Sequence, residues 1–88
     1  MKIKNSSGIT LGFLRKVEYK FEVGNSKKFE PLIWSTNSKL PPSLKLTKKG
    51  LLKGKITEDK GPYKIKIKVV NNKNQSVSKV FFIQILLS

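Results

Sequence analysis

The fold of this chain is constrained most strongly by residues 40–63, which read LPPSLKLTKKGLLKGKITEDKGPY. In this segment a proline pair precedes alternating leucines, and two glycines follow four residues apart, at Gly50 and Gly54. Proline has no N–H for a strand ladder, and glycine accepts the unusual backbone angles of a tight bend. The spacing therefore predicts a sheet corner, a tight turn and a returning strand, which is typical of a β-sandwich.

The remaining segments alternate in the same way. Glycine, proline, asparagine and serine interrupt the chain about every ten residues, and between them apolar side chains recur with period two. We predict no helix. The predicted strands cover residues 3–14, 16–23, 29–35, 40–46, 51–56, 63–70 and 77–87. About seven strands predict one all-β domain, a two-sheet Greek-key sandwich of antiparallel strands over residues 1–88. A small closed barrel of about five or six strands is the alternative.

The inward-facing phases of these strands predict the hydrophobic core. Trp34 is the single tryptophan, and we expect it to anchor the core between the sheets. Tyr19 and Tyr63 also lie on inward phases, and we expect their hydroxyls to reach backbone partners near the rim. The full predicted core comprises Tyr19, Phe21, Trp34, Leu40, Leu44, Tyr63, Ile65, Ile67, Phe81 and Ile83.

Composition excludes several classes of chemistry. The chain has no cysteine and no histidine, so it offers neither a disulfide nor a thiolate metal site and lacks the commonest general acid–base side chain. Five acidic residues stand against 19 Lys and Arg, which gives a net charge of +14. No segment is apolar enough to span a bilayer or to form the core of a signal peptide. The compartment stays open: extracellular or cell surface for part of a larger exported protein, cytoplasmic otherwise.

The acids and serines offer no readable catalytic pattern. Glu58 and Asp59 are adjacent, but Ca²⁺ needs about six to eight oxygen ligands, so we expect a solvated turn. No histidine can activate a serine, and Gly50 and Gly54 bracket leucines rather than a phosphate-binding loop. We therefore expect a protein that is not an enzyme and that holds no metal or cofactor.

One combination of motifs resembles a known family. It joins an alternating strand containing tyrosine, a Trp-Ser pair, a Leu-Pro-Pro-x-Leu corner, a Gly-x-x-x-Gly hairpin and a Gly-x-Tyr strand start. In this sequence the motifs are residues 17–23, 34–35, 40–44, 50–54 and 61–63. Over residues 12–85 they resemble the immunoglobulin-like, or cadherin-like, repeats of bacterial surface proteins, which are similar to the cadherin-like repeat of dystroglycan.

This resemblance implies an immunoglobulin/cadherin-like sandwich that presents surfaces or acts as a spacer, without catalysis. Two positions depart from the family's pattern: Ser43 stands where the family usually has glycine, and Ile56 where it usually has proline. The acidic clusters with which cadherin repeats bind calcium are also missing. We therefore expect no dependence on calcium.

Three lysines on the most regular predicted strand form a candidate binding face. Lys64, Lys66 and Lys68 alternate with apolar residues, so they share one face at spacings of about 6.8 Å. We expect Lys79 to extend this face on the last strand and Phe82 to lie among the lysines. Two interpretations stay open: the lysine stems cover Phe82 while their ammonium groups stay hydrated, or the face binds a polyanion or a partner.

The outward phase of the last strand adds a third interpretation. Val80, Phe82 and Leu86 are apolar, so a neighbouring domain or a second copy of the chain would find a surface to cover there. Self-association through the last strand is therefore one of the outcomes that the sequence leaves open.

Two classes of function follow from these features. The first is a non-catalytic module for adhesion, spacing or protein–protein interaction, part of or related to a cell-surface protein, whose partner is a protein or polysaccharide surface. The alternative is a small stand-alone basic β-domain that binds nucleic acid or another polyanion through the lysine-rich face. Tandem copies in the parent protein favour the first, and salt-sensitive binding to polyanions favours the second.

Overall fold

Two β-sheets account for most of the structure, a computed structural model that describes residues 1–58 and 61–87. The elements are β1 (Gly8–Gly12), β2 (Lys16–Lys20), α1 (Ser26–Phe29), β3 (Ile33–Thr36), β4 (Leu44–Leu46), β5 (Leu51–Lys55), β6 (Tyr63–Val70) and β7 (Ser76–Leu86). One sheet has the strand order β1-β7-β6-β3 and the other the order β2-β5-β4. The predicted all-β sandwich of seven strands in two sheets is confirmed.

The pairing of the first strand differs from the prediction. Among the described strands, β1 alone runs parallel to its neighbour, with Gly8 opposite Phe82 and Gly12 opposite Leu86 on β7. The prediction of antiparallel strands throughout is therefore wrong at this edge. The remaining groupings, β2-β5-β4 and β3-β6-β7, are those of the immunoglobulin sandwich.

The first segment of the chain pairs first with one sheet and then with the other. Ile3 forms an antiparallel bridge with Val23, beside the chain that follows β2. Asn5 fixes the segment there, because its Nδ2 donates to the Lys20 carbonyl (3.0 Å) and its Oδ1 accepts from the Glu22 N–H (2.8 Å). The chain then crosses to the other sheet as β1. A side chain takes the place of ladder bonds at the crossing, which explains why the predicted first strand is interrupted.

Alternation along the strands places the core between the sheets. On β6, Ile65, Ile67 and Val69 are buried, with at most 1% of their surface exposed, whereas the lysines between them are exposed. The buried apolar core comprises Ile3, Ile9, Leu11, Val17, Phe21, Val23, Trp34, Leu44, Leu52, Ile56, Ile65, Ile67, Val69, Phe81 and Ile83. Most of the predicted core residues are in this set.

Three predicted core residues lie at the rim instead. Tyr19, Leu40 and Tyr63 are half-buried and pack against the core from outside. The Tyr19 hydroxyl accepts a hydrogen bond from Asn5 Nδ2 (3.2 Å), so it reaches a side chain rather than the backbone partner that we expected. Because that polar end must stay near the surface, the ring cannot be sealed between the sheets.

An aromatic cluster centred on Phe21 links the two sheets. Its ring centroid lies 4.9 Å from that of Phe81, 5.9 Å from Trp34 and 5.2 Å from Tyr19. Stacked, tilted and edge-on contacts at these distances are favourable beyond the apolar area that they bury. Trp34 is thus a buried part of the core, as the sequence predicts.

The corner predicted from residues 40–63 depends on two glycines and a strained serine. Gly50 and Gly54 have φ angles of 89° and 141°, which side-chain-bearing residues rarely adopt. A Cβ on Gly54 would lie only 2.1 Å from the Ser43 carbonyl oxygen. Ser43 itself has a φ of 70°, so the turn keeps a glycine-like conformation although glycine is absent.

One predicted strand begins later than expected, because a helical turn precedes it. Asn25 has a φ of 54°, and the Lys28 N–H donates to its carbonyl (3.0 Å), which closes α1. Pro31 then has no N–H for a ladder, so β3 starts at Ile33. The prediction of no helix is wrong for this single turn. α1 is the one helix in residues 1–58 and 61–87, and nothing in them could cross a bilayer as a helix.

The loop between β6 and β7 is built around Asn71, which is buried. Its Oδ1 accepts from the backbone N–H groups of Lys73 (2.9 Å) and Gln75 (3.0 Å), and its Nδ2 donates to Gln75 Oε1 (3.0 Å). This side chain therefore closes the predicted hairpin loop, and its oxygen is already used within the protein.

The described chain runs from one end of an elongated molecule to the other. Its principal extents are 41 × 20 × 18 Å. Ile3 lies beside Val23 at one end, and the Phe13 N–H donates to the Leu86 carbonyl (2.9 Å) beside the turn that joins β1 to β2. Because β2 runs back from that turn toward Val23, these two contacts mark opposite ends of the sandwich.

Candidate interaction face on the four-stranded sheet

The lysine ladder, Lys64, Lys66 and Lys68, lies on the outer face of the four-stranded sheet. All three side chains are exposed, because the alternate residues of β6 point into the core. Their positions agree with the sequence-based expectation. Binding by this face stays a prediction.

The neighbours of the ladder on β7 change in character along the strand. Phe82 lies opposite Lys64, Val80 opposite Lys66, and Ser78 opposite Lys68. Phe82 is half exposed, as expected for a ring that stands among lysines. The ladder is therefore apolar beside Lys64 and polar beside Lys68.

Lys79 does not belong to this face. It lies opposite the buried Ile67, so its side chain starts on the inner side of the sheet. Its Nζ donates to the Asn5 carbonyl and lies 5.7 Å from the Phe81 ring centroid. The prediction that Lys79 extends the ladder is wrong, since position 79 has the same phase as positions 81 and 83. Lys79 instead ties the crossing segment to the edge of the core.

A hollow opens beside the polar end of the ladder, where the loop after β3 meets β6 and β7. We call it the serine hollow. Its volume is about 430 Å³, and its lining residues are Ser35, Thr36, Asn37, Ser38, Lys66, Lys68, Ser76 and Ser78. Sequence reasoning did not identify the serines. The outward phase of Ser76 and Ser78 was readable, but their approach to residues 35–38 depends on long-range strand pairing.

Two hydroxyls fix the loop of the serine hollow to β6. Thr36 Oγ1 donates to the Lys66 carbonyl (2.7 Å) and accepts from the Ser38 N–H (3.1 Å). Ser38 Oγ accepts from the Lys66 N–H (2.9 Å). The wall of the hollow is thus held by both backbone groups of one ladder lysine.

Positive charge is not confined to the lysine ladder. On the three-stranded sheet, Lys45 lies opposite Lys53, which in turn lies opposite Glu18. Lys16 Nζ and Glu18 Oε1 form an exposed ion pair of 2.7 Å there. Their hydrogen bond and opposite charges raise the pKa of Lys16 and lower the pKa of Glu18. The ladder differs from this second basic face mainly because no carboxylate lines the hollow beside it.

Two of the five acids line another hollow, which sequence reasoning did not foresee. Glu22 and Glu30 border a space of about 550 Å³ together with Lys20, Lys49 and the aromatic Trp34. Both glutamates are exposed. Within residues 1–58 and 61–87, no group of three or more His, Cys, Asp or Glu is placed to hold a metal ion. The expectation for Asp59 lies outside the described residues.

Comparison with known proteins gives similarity in structure alone. No protein-family model matches the chain, and no curated protein matches it. Among solved structures, it is similar to a candidate alpha-galactosidase/melibiase of Bacteroides fragilis, with a TM-score of 0.77 and 25% identity over 97% of this chain. A candidate alpha-galactosidase of the same organism also gives a TM-score of 0.77, with 24% identity over 97% of this chain.

The chain spans a small part of those proteins, 17% of the length of each. Nearly the whole of this sandwich therefore corresponds to one small β domain in a much longer chain. The likeness supports the fold, and the names describe the Bacteroides proteins.

Proposed function

We propose that this chain is a non-catalytic immunoglobulin/cadherin-like module that spaces and contacts other domains or proteins, in or near proteins that handle glycans at the cell surface. The observation that carries the proposal is the correspondence of 97% of this chain to 17% of two longer chains, both described as candidate alpha-galactosidases. A fold that recurs as a small part of large proteins suits a spacing or contact role.

The path of the chain also supports a spacer. The described chain starts beside Val23 and finishes beside Phe13, at opposite ends of a body 41 Å long. A module with this path would hold a domain attached at one end apart from a domain attached at the other. A module whose ends met on one side would separate its neighbours hardly at all.

The spacing role can be tested with a distance measurement, because the chain has no cysteine of its own. Fluorophores on the Lys2→Cys, Leu87→Cys double variant should report one narrow distance of roughly 30 Å, because about ten extended residues separate position 2 from Gly12, which lies opposite Leu86. Energy transfer that corresponds to the 18–20 Å width, or a broad distribution, would refute the spacer.

The absence of catalysis needs a separate test. Glu22 and Glu30 line one hollow together, so they are the described carboxylates to replace first in a test for glycoside hydrolysis. We expect the protein to release no more nitrophenol from aryl α- and β-galactosides than buffer does. If the wild-type protein releases nitrophenol above the buffer level, and each of the variants Glu22→Gln and Glu30→Gln loses that release, the module is catalytic and the proposal is wrong.

A second candidate function is binding of a polyanion by the lysine ladder. It is favoured by three exposed lysines that follow one another along one face of β6, with no described carboxylate opposite them. Replacement of all three ladder lysines by glutamine should reduce both the affinity for a polyanion and its salt dependence. The matched control replaces Lys20, Lys45 and Lys53 on the other sheet, which removes the same net charge. Equal losses in the two variants would assign the binding to net charge alone.

A further inference from the structure

We infer that the serine hollow binds the acidic groups of an anionic polysaccharide. This inference rests on the second candidate function and makes it specific: one end of the lysine ladder, together with the hydroxyls beside it, recognises a carboxylate or sulfate group on a sugar chain. The other end of the ladder, around Lys64 and Phe82, takes no part.

The first argument comes from the hydroxyl of Ser38. Its oxygen accepts a hydrogen bond from the Lys66 N–H at 2.9 Å, and none of the described residues accepts its proton. A hydroxyl carries one donor and two acceptor positions. The proton of Ser38 is therefore available to an acceptor in the hollow, while its oxygen is held in place by the backbone of β6. A ligand that accepts hydrogen bonds satisfies this group.

The second argument comes from one row across three strands. Ser35 on β3, Lys68 on β6 and Ser78 on β7 lie directly opposite one another. Neighbouring strands are about 4.8 Å apart, so the side chains of Ser35 and Ser78 flank the side chain of Lys68 on the outer face of the sheet. Within the described chain, none of the three side chains has a hydrogen-bond or ion-pair partner. Such a row offers up to five donors to an oxyanion.

The third argument is electrostatic. Lys66 and Lys68 follow each other on one face about 6.8 Å apart, and every polar side chain that lines the hollow ends in an ammonium, a hydroxyl or an amide. No lining carboxylate repels an anion or neutralises a lysine. The net charge of +14 attracts polyanions to the whole surface, and the hollow is where hydroxyl donors are added to that charge.

The lining favours a sugar chain over a nucleic acid. Binding of single strands depends on aromatic rings that stack with the bases, and no aromatic side chain lines the hollow. Phe82 is opposite Lys64, two rows of side chains away from Lys68. The single arginine, Arg15, lies in the turn after β1. Hydroxyl and amide groups, by contrast, match the hydroxyls of a sugar ring as well as its acidic substituent.

The experiment is a titration with oligogalacturonate, which carries carboxylates, at about 50 mM salt. Dextran serves as the neutral polysaccharide, dextran sulfate as the sulfated one, and an oligothymidylate as the nucleic acid. The main variant is Ser35→Ala, Ser78→Ala, because neither hydroxyl holds the fold together and the net charge is unchanged. We expect it to bind the preferred acidic sugar chain about tenfold more weakly than the wild type.

Lysine variants supply the matched control. Lys66→Gln, Lys68→Gln should weaken binding by at least as much as the serine variant, whereas Lys45→Gln, Lys53→Gln, with the same net charge, should lose less. Melting curves of all variants should coincide with that of the wild type. Dextran and the oligothymidylate should bind more weakly than an acidic sugar chain does.

Three results would overturn the inference. They are an unchanged affinity in the serine variant, equal losses in the two lysine variants, and binding of the oligothymidylate at least as tight as that of both acidic polysaccharides. If the serine variant binds normally while the triple ladder variant is impaired, the second candidate function stands and this inference fails. The fluorophore distance reports on the spacer, and the hydrolysis assay reports on the absence of catalysis, independently of either result.

Discussion

Gly54→Ala should be the most damaging small substitution in this chain. A Cβ at this position would lie 2.1 Å from the Ser43 carbonyl oxygen and 3.1 Å from the Leu44 Cα. Both atoms belong to the backbone, and Leu44 pairs with Gly54 across β4 and β5, so no change of rotamer relieves the contact. The sheet corner itself must move. The φ of 141° adds strain that an alanine cannot avoid.

The expected cost is the sum of two effects. Holding a non-glycine residue in a sparsely populated backbone region costs about 1–3 kcal/mol. Forcing an extra methyl group into a filled space costs about 1–3 kcal/mol more. A domain of 88 residues is expected to unfold with a free energy of about 4–13 kcal/mol. A loss of about 2–6 kcal/mol therefore removes a large fraction of the stability.

Urea unfolding followed by Trp34 fluorescence measures this loss, since Trp34 is the one tryptophan and is buried. Gly8→Ala is the matched control: nothing lies within 4 Å of its added Cβ, and its φ is not in the glycine region. We expect the control to change the free energy of unfolding by less than about 0.5 kcal/mol. If both variants unfold at the same urea concentration with the same slope, the corner is not packed as described.

Further predictions concern the core, the crossing segment and calcium. Ile67→Ala should cost roughly 2–5 kcal/mol because it opens a cavity, and Lys66→Ala should stay within about 0.5 kcal/mol. Equal urea midpoints for the two variants would contradict the described strand phase. Lys79→Met should lower the free energy of unfolding by about 1–3 kcal/mol, because the Asn5 carbonyl loses a charged donor. A melting temperature equal to that of Lys66→Met would contradict a stabilising role for this hydrogen bond. Millimolar Ca²⁺ should leave the melting temperature unchanged, and a rise of several degrees would reveal a carboxylate site that we have not recognised.

Local periodicity was sufficient to predict the architecture. The strict alternation of β6 identifies both the core residues and the exposed lysines, because successive side chains of a strand must point to opposite faces. The corner of residues 40–63 was equally readable, since Gly50 and Gly54 mark backbone angles that other residues rarely adopt. Side-chain alternation and backbone angles both depend on neighbouring residues, so a short stretch of sequence is enough to predict them.

The features that the sequence did not reveal all depend on contacts between distant segments. The parallel pairing of β1 with β7 requires the chain to cross between the sheets at Asn5. No sequence pattern indicates that the Asn5 side chain forms hydrogen bonds with the backbone of Lys20 and Glu22. Period two gives the side of a strand on which a residue lies, but not the residue opposite it. For that reason Ser35 and Ser78 could not be brought together beside Lys68 from the sequence.

The error at Lys79 is of a different kind, because the sequence already contained the strand phase that places this side chain. Counting by twos from Phe81 puts position 79 on the inner side, and the positive charge alone suggested otherwise. A lysine on an inner phase near a strand end is better interpreted as a cation that reaches the rim of the core, where a carbonyl and an aromatic face can bind it.

The parallel edge formed by β1 and β7 has a mechanical consequence. When the two ends of the described chain are pulled apart, β1 is drawn toward one pole and β7 toward the other, so the bonds over five opposed residue pairs are loaded in shear and must fail together. The hairpin β6–β7, pulled from its open end, would unzip one bond at a time. Force spectroscopy should therefore give a higher rupture force when the protein is stretched through residues 2 and 87 than when it is pulled through residues 63 and 83, and equal forces would show that the edge carries no load.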